Sequence, residues 1–371
     1  MFAGKKSAQI RETLISESAW EEMTCLFAPS LDKGSVMGMR DTTIDIMRVI
    51  GIMLIILAHV SPPEFLFQLR TFDVPMMIFI SGMSYYVASK KDVKIVPYVK
   101  SRFRRLVVPA WIFITLFYIT IYVFNPEKFY DIKKTSIISS YLLNGFGYFW
   151  IIRIFLIIAI ISPLLAYVME NKNSGNITII TLAMLIVATI LSLVTSDNSA
   201  IWKIVNQIII PTLSYSSVFM IGYKWVSFNN KERLAFFMVC TVIFITYFFV
   251  YLLYKGKVPY PQSFKYPPTL YFIIYALMVT LPLHLILSKS NIKGRTISKS
   301  IFFLSSNTIW IYLWHIPFVE YLKRYNPTYC FEIKYIIAFV IPMIIVLAQV
   351  NAVKYVIRKN PKMKFLIVFT G

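Results

Sequence analysis

Apolar runs long enough to cross a bilayer recur along almost the whole chain, roughly at residues 43–62, 72–89, 107–125, 147–168, 177–195, 205–223, 234–254, 268–288, 300–320 and 335–353. A hydrocarbon layer about 30 Å thick is crossed by about 20 apolar residues in helical form, and a helix satisfies each backbone N–H and C=O within its own segment. The expectation is therefore an all-α, polytopic transmembrane helix bundle of about ten spans. At 58% hydrophobic and 15% charged, with a mean hydropathy of +0.67, the composition excludes a soluble enzyme. The chain divides into a leader over residues 1–42, a membrane domain over 43–355 and a short basic tail over 356–371.

An even number of spans puts both termini on one side. Sorted by this topology, 25 of the 38 Lys and Arg fall in the two termini and the even-to-odd connections, 11 fall on the other side, and Arg48 and Arg153 lie within helices. Basic residues concentrate on the cytoplasmic side, so both termini are expected there. The net charge of +21 then reads as orientation and attraction to anionic lipid, with no call for nucleic acid. The leader has no apolar segment preceded by basic residues, so no cleaved signal peptide is expected, and Met37 and Met39 allow a later translation start. Cys25, Cys240 and Cys330 share no short spacing, and the histidines are His59, His284 and His315, so neither a disulfide framework nor a metal site is expected.

The chemistry must come from polar residues at membrane depth. The run from Thr43 to Val60 carries Asp45, Arg48 and His59, and ionisable groups inside a span usually face a bundle interior or a wet cavity. Arg48 and His59 are eleven residues apart, about 16 Å along one helical face, so a single stripe would join two depths. The plainer reading is a snorkelling arginine near one interface and a satisfied histidine near the other. Asp45, three residues before Arg48, is placed to orient its guanidinium. In the next span, Pro75 can kink the chain and Ser81-Gly82 permits close helix packing.

The connection after that span is the most basic stretch of the chain, with Lys90, Lys91, Lys94, Lys100, Arg102, Arg104 and Arg105 against Asp92. It serves as a topology anchor, or Arg102 and Arg105 grip a phosphate from one helical face. Arg153 sits near the expected depth of His59 and either holds a sugar or carbonyl oxygen or snorkels outward. His315, with Tyr312 one turn earlier and Glu320 beyond, divides between acceptor handling and structural hydrogen bonding. His284 is expected at an interface. Lys265 stands out among the outer aromatics, which include Tyr260, Tyr266 and Tyr271 and which belong equally to an interfacial belt.

Together these features resemble the acyltransferase-3 family of integral membrane acyltransferases. The resemblance rests on Arg48 and His59 with ten residues between them, Arg102-x-x-Arg105, FISG at Phe79–Gly82, WIIR at Trp150–Arg153 and IYLWHIP at Ile311–Pro317, and it covers about residues 41–355. FKYPPTLY at Phe264–Tyr271 is similar to the fucose 4-O-acetylase-like branch. The resemblance implies transfer of an acyl group, commonly acetyl from acetyl-CoA, to a hydroxyl of a cell-surface polysaccharide or its lipid-linked precursor at a bacterial cytoplasmic membrane. Acetyl-CoA is then a substrate and not a resident cofactor. Its phosphates fall to Arg48, Arg102 and Arg105, and the acceptor to Arg153, Tyr312, His315 and Lys265. Asp45, Ser81 and Trp150 have orienting or structural parts. His59, with an ordinary pKa of about 6.5, acts as general base for direct transfer or as a covalent acyl relay. A glycan or lipid transporter and a scaffolding subunit are the competing classes, since transporters also place charges along a path at midplane. Oligomeric state is not legible.

Overall fold

The computed structural model describes residues 41–370 except 89–94, 126, 128, 129, 145, 146, 195–199 and 291–294. Residues 1–40, with Cys25, Met37 and Met39, and the basic Lys90, Lys91 and Lys94 lie outside the described residues. In order, the elements are α1 (Thr42–Leu57), α2 (Glu64–Leu69) running into a 3-10 turn (Arg70–Phe72), α3 (Asp73–Val87), α4 (Ile95–Phe124) and α5 (Lys134–Tyr141). Then come α6 (Trp150–Met169), α7 (Ser174–Val194), α8 (Ala200–Ile204), a π-helical turn (Val205–Ile209), α9 (Ile210–Trp225), α10 (Asn230–Lys255), a 3-10 turn (Pro261–Phe264) and α11 (Leu270–Lys289). The chain closes with α12 (Arg295–Ser306), α13 (Thr308–Tyr325), α14 (Phe331–Lys359) and a 3-10 segment (Pro361–Phe369).

Helices occupy all ten apolar stretches, yet among the described residues seven are long and apolar enough to cross a membrane. The three that fall short are α1, α3 and α13. With 16 and 15 residues, α1 and α3 reach about 24 and 22 Å, less than the apolar layer. They need not reach farther, because irregular backbone is tolerated at membrane depth where protein or a polar cavity covers it.

The centre of the bundle is α3. Its residues Asp73 to Ser84 are all buried, as expected of a helix that is apolar all round and enclosed by others. It packs on α1, α6, α9 and α11. Its contact with α9 is backbone on backbone: a Cβ on Gly82 would lie 2.2 Å from the Phe219 carbonyl oxygen, and one on Gly222 would lie 2.0 Å from that of Phe79. Only glycine permits that approach, the close packing expected of Ser81-Gly82. Ser81 itself donates to the Met77 carbonyl within α3 at 2.8 Å. Pro75 does not kink the helix, because it lies in the first turn, where no intrahelical N–H bond is lost. At the other extreme, α10 buries only Phe236 and Cys240, and exposes Leu253 and Tyr254 where a lipid-facing helix would.

Several elements differ from the sequence expectation, each for a local reason. The first helix stops at Leu57, because Pro62 keeps Ser61 out of the helical region; Ser61 instead takes a left-handed φ of 56°. The basic segment carrying Arg102 and Arg105 is no loop but the first three turns of α4. The run 300–320 breaks at Asn307, whose side-chain amide donates to the Phe303 carbonyl at 2.7 Å and so competes with the helical ladder. The tail folds back onto the bundle: Trp310 Nε1 donates to the Val368 carbonyl at 3.0 Å, Gln349 Nε2 to that of Phe369 at 2.7 Å, and Trp310 stacks on Phe369. His284, near the C-terminal end of α11, is buried, and its Nδ1 accepts from Trp225 Nε1 at 3.1 Å.

Candidate active site

Two polar sites stand at opposite ends of α1. At its N-terminal end Asp45 and Arg48 are one turn apart and both buried, and Arg48 Nη1 meets Asp45 Oδ1 at 3.0 Å. Arg48 Nη2 donates to Ser84 Oγ on α3 at 2.6 Å. The neighbouring Tyr85 ring meets Tyr98 of α4, and Arg102 stacks over Tyr98 with its guanidinium carbon 4.7 Å from the ring centre. Arg102 is buried, and its Nε and Nη1 have no partner among the described residues. Arg105, one turn on, is half-buried. The structure thus links Arg48 to Arg102 through the Ser84-Tyr85 corner, with Arg48 already engaged and Arg102 holding open donors.

The other end is built around His59. Beyond Leu57 the chain turns, with the His59 amide donating to the Ile56 carbonyl at 3.0 Å. His59 therefore sits in the turn that follows α1, two residues past its last helical residue. Its ring lies 4.7 Å from that of Tyr148 and 5.4 Å from that of His315, centre to centre. His315 is fully buried; its Nδ1–H donates to the Tyr312 carbonyl, and its Nε2 has no partner among the described residues. The Tyr312 hydroxyl donates to the Tyr148 carbonyl, and the Tyr148 hydroxyl donates to Glu320 while accepting from Lys323 Nζ at 3.2 Å. His59 is thereby flanked by a second imidazole and the Tyr148 phenol, both tied to α13, with Tyr312 lining the same cavity.

A cavity of about 190 Å³ opens beside His59, lined among others by Phe67, Arg70, Asp73, Trp150, Lys265 and Tyr312. Arg70 Nη1 meets Asp73 Oδ2 at 2.8 Å and Lys265 Nζ meets Asp73 Oδ1 at 3.3 Å, with all three residues buried. Asp73 stands at the start of α3, where its Oδ1 also accepts from the Val74 amide at 2.7 Å and the helix dipole favours a negative charge. Lys265 belongs to the segment between α10 and α11. Burial pulls its ammonium below the ordinary lysine range, opposed by the Asp73 carboxylate. Trp150, the first residue of α6, meets Tyr266 edge to face at 5.3 Å and lies under the Lys265 ammonium. A second, apolar void of about 20 Å³ is lined by Ile52, Met77 and Phe155 and shares Ile55, Ile151 and Tyr312 with the first. It lies along the same helix, between the levels of Arg48 and His59.

Of the residues singled out from sequence, His59, Tyr312, Lys265 and Trp150 line one cavity, and His315 stands directly behind His59. Arg48, Asp45, Ser81, Arg102 and Arg105 do not line it. Arg153 does not either: its Nη1 donates to Asn144 Oδ1 at 2.9 Å and its Nη2 to the Gln207 carbonyl at 3.3 Å, bracing the loop before α6 against the π-helical turn. Sequence reasoning missed Arg70, Asp73, Gln262 and Tyr148. Arg70 counted only as an outer charge, although opposite charges three residues apart in RTFD were a signal that the two pair.

Residues 41–349 match the Acyltransferase domain of the acyltransferase-3 family. The chain belongs to that family. The match spans both polar sites, from the Asp41 cap of α1 through Lys265 and His315 to Gln349 in α14. As an acyltransferase-3 protein it is a multi-pass membrane acyltransferase, and its apolar helices agree with that. No curated protein and no solved structure matches the chain.

Proposed function

We propose that this acyltransferase moves acetyl from cytoplasmic acetyl-CoA to a hydroxyl of a cell-surface polysaccharide or its lipid-linked precursor, at a bacterial cytoplasmic membrane. The observation that carries the reading is His59 at the wall of a polar cavity that also holds Arg70, Asp73, Lys265 and Trp150. Charged groups beside an indole face suit a sugar, whose hydroxyls bond the former while its ring stacks on the latter.

The donor belongs at the Arg102 end. Open guanidinium donors there suit the phosphates of CoA, with Arg105 beside them and Arg48 held in place by Asp45 and Ser84. The thioester arm then has to reach His59 along α1, past Ile52 and Phe155, where the void of about 20 Å³ admits it only if the surrounding side chains move apart. His59 then takes the proton of the acceptor hydroxyl as its oxygen attacks the acetyl carbon. The new C–O bond forms, the C–S bond breaks, and the proton passes from the imidazolium to the departing thiolate, leaving CoA thiol and an O-acetyl ester. Tyr148 and His315 meet the imidazole ring and orient it for this transfer, and Tyr312 supports both of them.

The test is release of free CoA from acetyl-CoA by the purified protein in the presence of extracted envelope glycan. Glycan-dependent release by the wild type that is lost in folded His59→Ala supports the proposal. Absence of release from the wild type, with His59→Ala still blocking glycan export in cells, would move the reading to a transporter. Acetyl trapped on His59 without acceptor would replace direct transfer by a covalent relay.

A further inference from the structure

The cavity beside His59 holds more positive charge than its own residues balance. Arg70 and Lys265 are each 3% exposed and share one carboxylate, that of Asp73, which is 1% exposed. Both oxygens of that carboxylate are already committed, Oδ2 to Arg70 and Oδ1 to Lys265 and the Val74 amide. What remains on the cations is weakly answered. Arg70 Nη2 reaches the neutral Gln262 Oε1 at 3.4 Å, and Arg70 Nε has no partner among the described residues. The Lys265 ammonium otherwise faces the rings of Trp150, Tyr266 and Phe272 at 5.8 to 6.0 Å. Glu320, the carboxylate on the far side of Tyr148, does not line the cavity; it accepts from Tyr148 and pairs with Lys323.

A buried cation without a counter-ion is costly, and the cost falls away when a ligand supplies the missing charge. The cavity has room for such a group, since 190 Å³ exceeds several times the roughly 30 Å³ that one water takes in the liquid. Phe67 lies against the Arg70 guanidinium at 4.4 Å and fixes its plane, which favours an oxyanion held in a defined orientation. We infer that the acceptor carries an oxyanion, either a carboxylate on the sugar or the phosphate joining it to a lipid carrier, which docks on Arg70 and Lys265 and so presents a nearby hydroxyl to His59. This rests on the acceptor reading of the cavity given above, but its test uses no acyl donor.

The experiment is thermal stabilisation of the purified full chain in detergent by glucuronate, by glucose 1-phosphate and by glucose, with ionic strength matched by sodium chloride. Half-saturation by at least one of the two anions at a concentration at least ten-fold lower than by glucose is expected, as is its loss in Lys265→Met and its retention in Lys265→Arg. A response to glucuronate alone identifies a carboxylate, and a response to glucose 1-phosphate alone identifies the phosphate linkage. Should Lys265→Met fail to fold, Asp73→Asn provides the opposite sign: it frees both cations, and the anion should bind more tightly. Equal response to glucose, no response to either anion, or an anion response that survives Lys265→Met or weakens in Asp73→Asn overturns the inference. Because CoA release is measured separately, glycan-dependent release alongside any of these outcomes would leave acyl transfer standing and remove the acidic acceptor alone.

Discussion

The bundle contains two buried arginine–aspartate pairs, each three residues apart, and they are put to different uses. Asp45 and Arg48 lie within one helix and pair at 3.0 Å, and Arg48 also donates to the neutral hydroxyl of Ser84. Arg70 and Asp73 straddle the junction of a 3-10 turn and a helix, and a second cation, Lys265, is added to the same carboxylate. The first pair ties α1 to α3 through Ser84. The second is left positive beside a cavity. Sequence spacing is the same in both, so the charge contributed by a remote residue separates a brace from the proposed recognition site.

The largest expected effect falls at the cavity end. Replacing His59 by alanine should reduce glycan-dependent CoA release by about 10²- to 10⁴-fold, the usual contribution of a positioned general base, while the gel-filtration profile stays that of the wild type. A residual rate within a few-fold of wild type would take the chemistry away from this end. Next come the carboxylates. Removing one partner of a buried pair costs about 3–5 kcal/mol, and Asp73→Ala should lie at or above the top of that range because it orphans two cations, whereas Asp45→Ala orphans one that keeps Ser84. Thermal unfolding of both variants in detergent tests this ordering; equal losses would erase the distinction between the pairs.

A smaller effect should sharpen the role of the wall around His59. Tyr148→Phe removes the hydroxyl that joins Glu320 and Lys323, and a loss of roughly five- to ten-fold in kcat with KM unchanged is expected, the worth of about one hydrogen bond. A change confined to KM would instead make Tyr148 an acceptor contact. The smallest effect should come far from both pairs. Trp310→Phe keeps the stack on Phe369 but loses the bond to the Val368 carbonyl, for about 1 kcal/mol of stability and no change in rate, read by thermal unfolding beside CoA release.

Much of this was legible before any coordinates. Each of the ten apolar runs holds a helix, since a bilayer leaves few other ways to satisfy a backbone, while the short α2 and α5 lie outside those runs. Glycine at position 82 announced a close crossing, and FKYPP singled out Lys265. Other features were hidden because they depend on neighbours. The spacing of Arg48 and His59 suggested a single helix, but that helix ends at Leu57 and His59 is carried by the turn that follows. Arg153 was expected at the acceptor or snorkelling outward, and its two terminal nitrogens bond Asn144 and Gln207. The short lengths of α1 and α3 follow from their enclosure by other helices, which hydropathy along a single segment does not register.

By itself, then, the sequence determined an α-helical membrane protein and the residues by which its family is recognised, because both are properties of local composition and spacing. Which distant charges meet was decided by the tertiary structure alone. Asp73 and Lys265 are 192 positions apart, in segments whose local pattern says only that one begins a helix and the other lies between two. Packing of α3 against α11 brings them into one cavity with His59. Coulomb attraction and desolvation act through space, so the balance of charge at that cavity exists only once the bundle has closed.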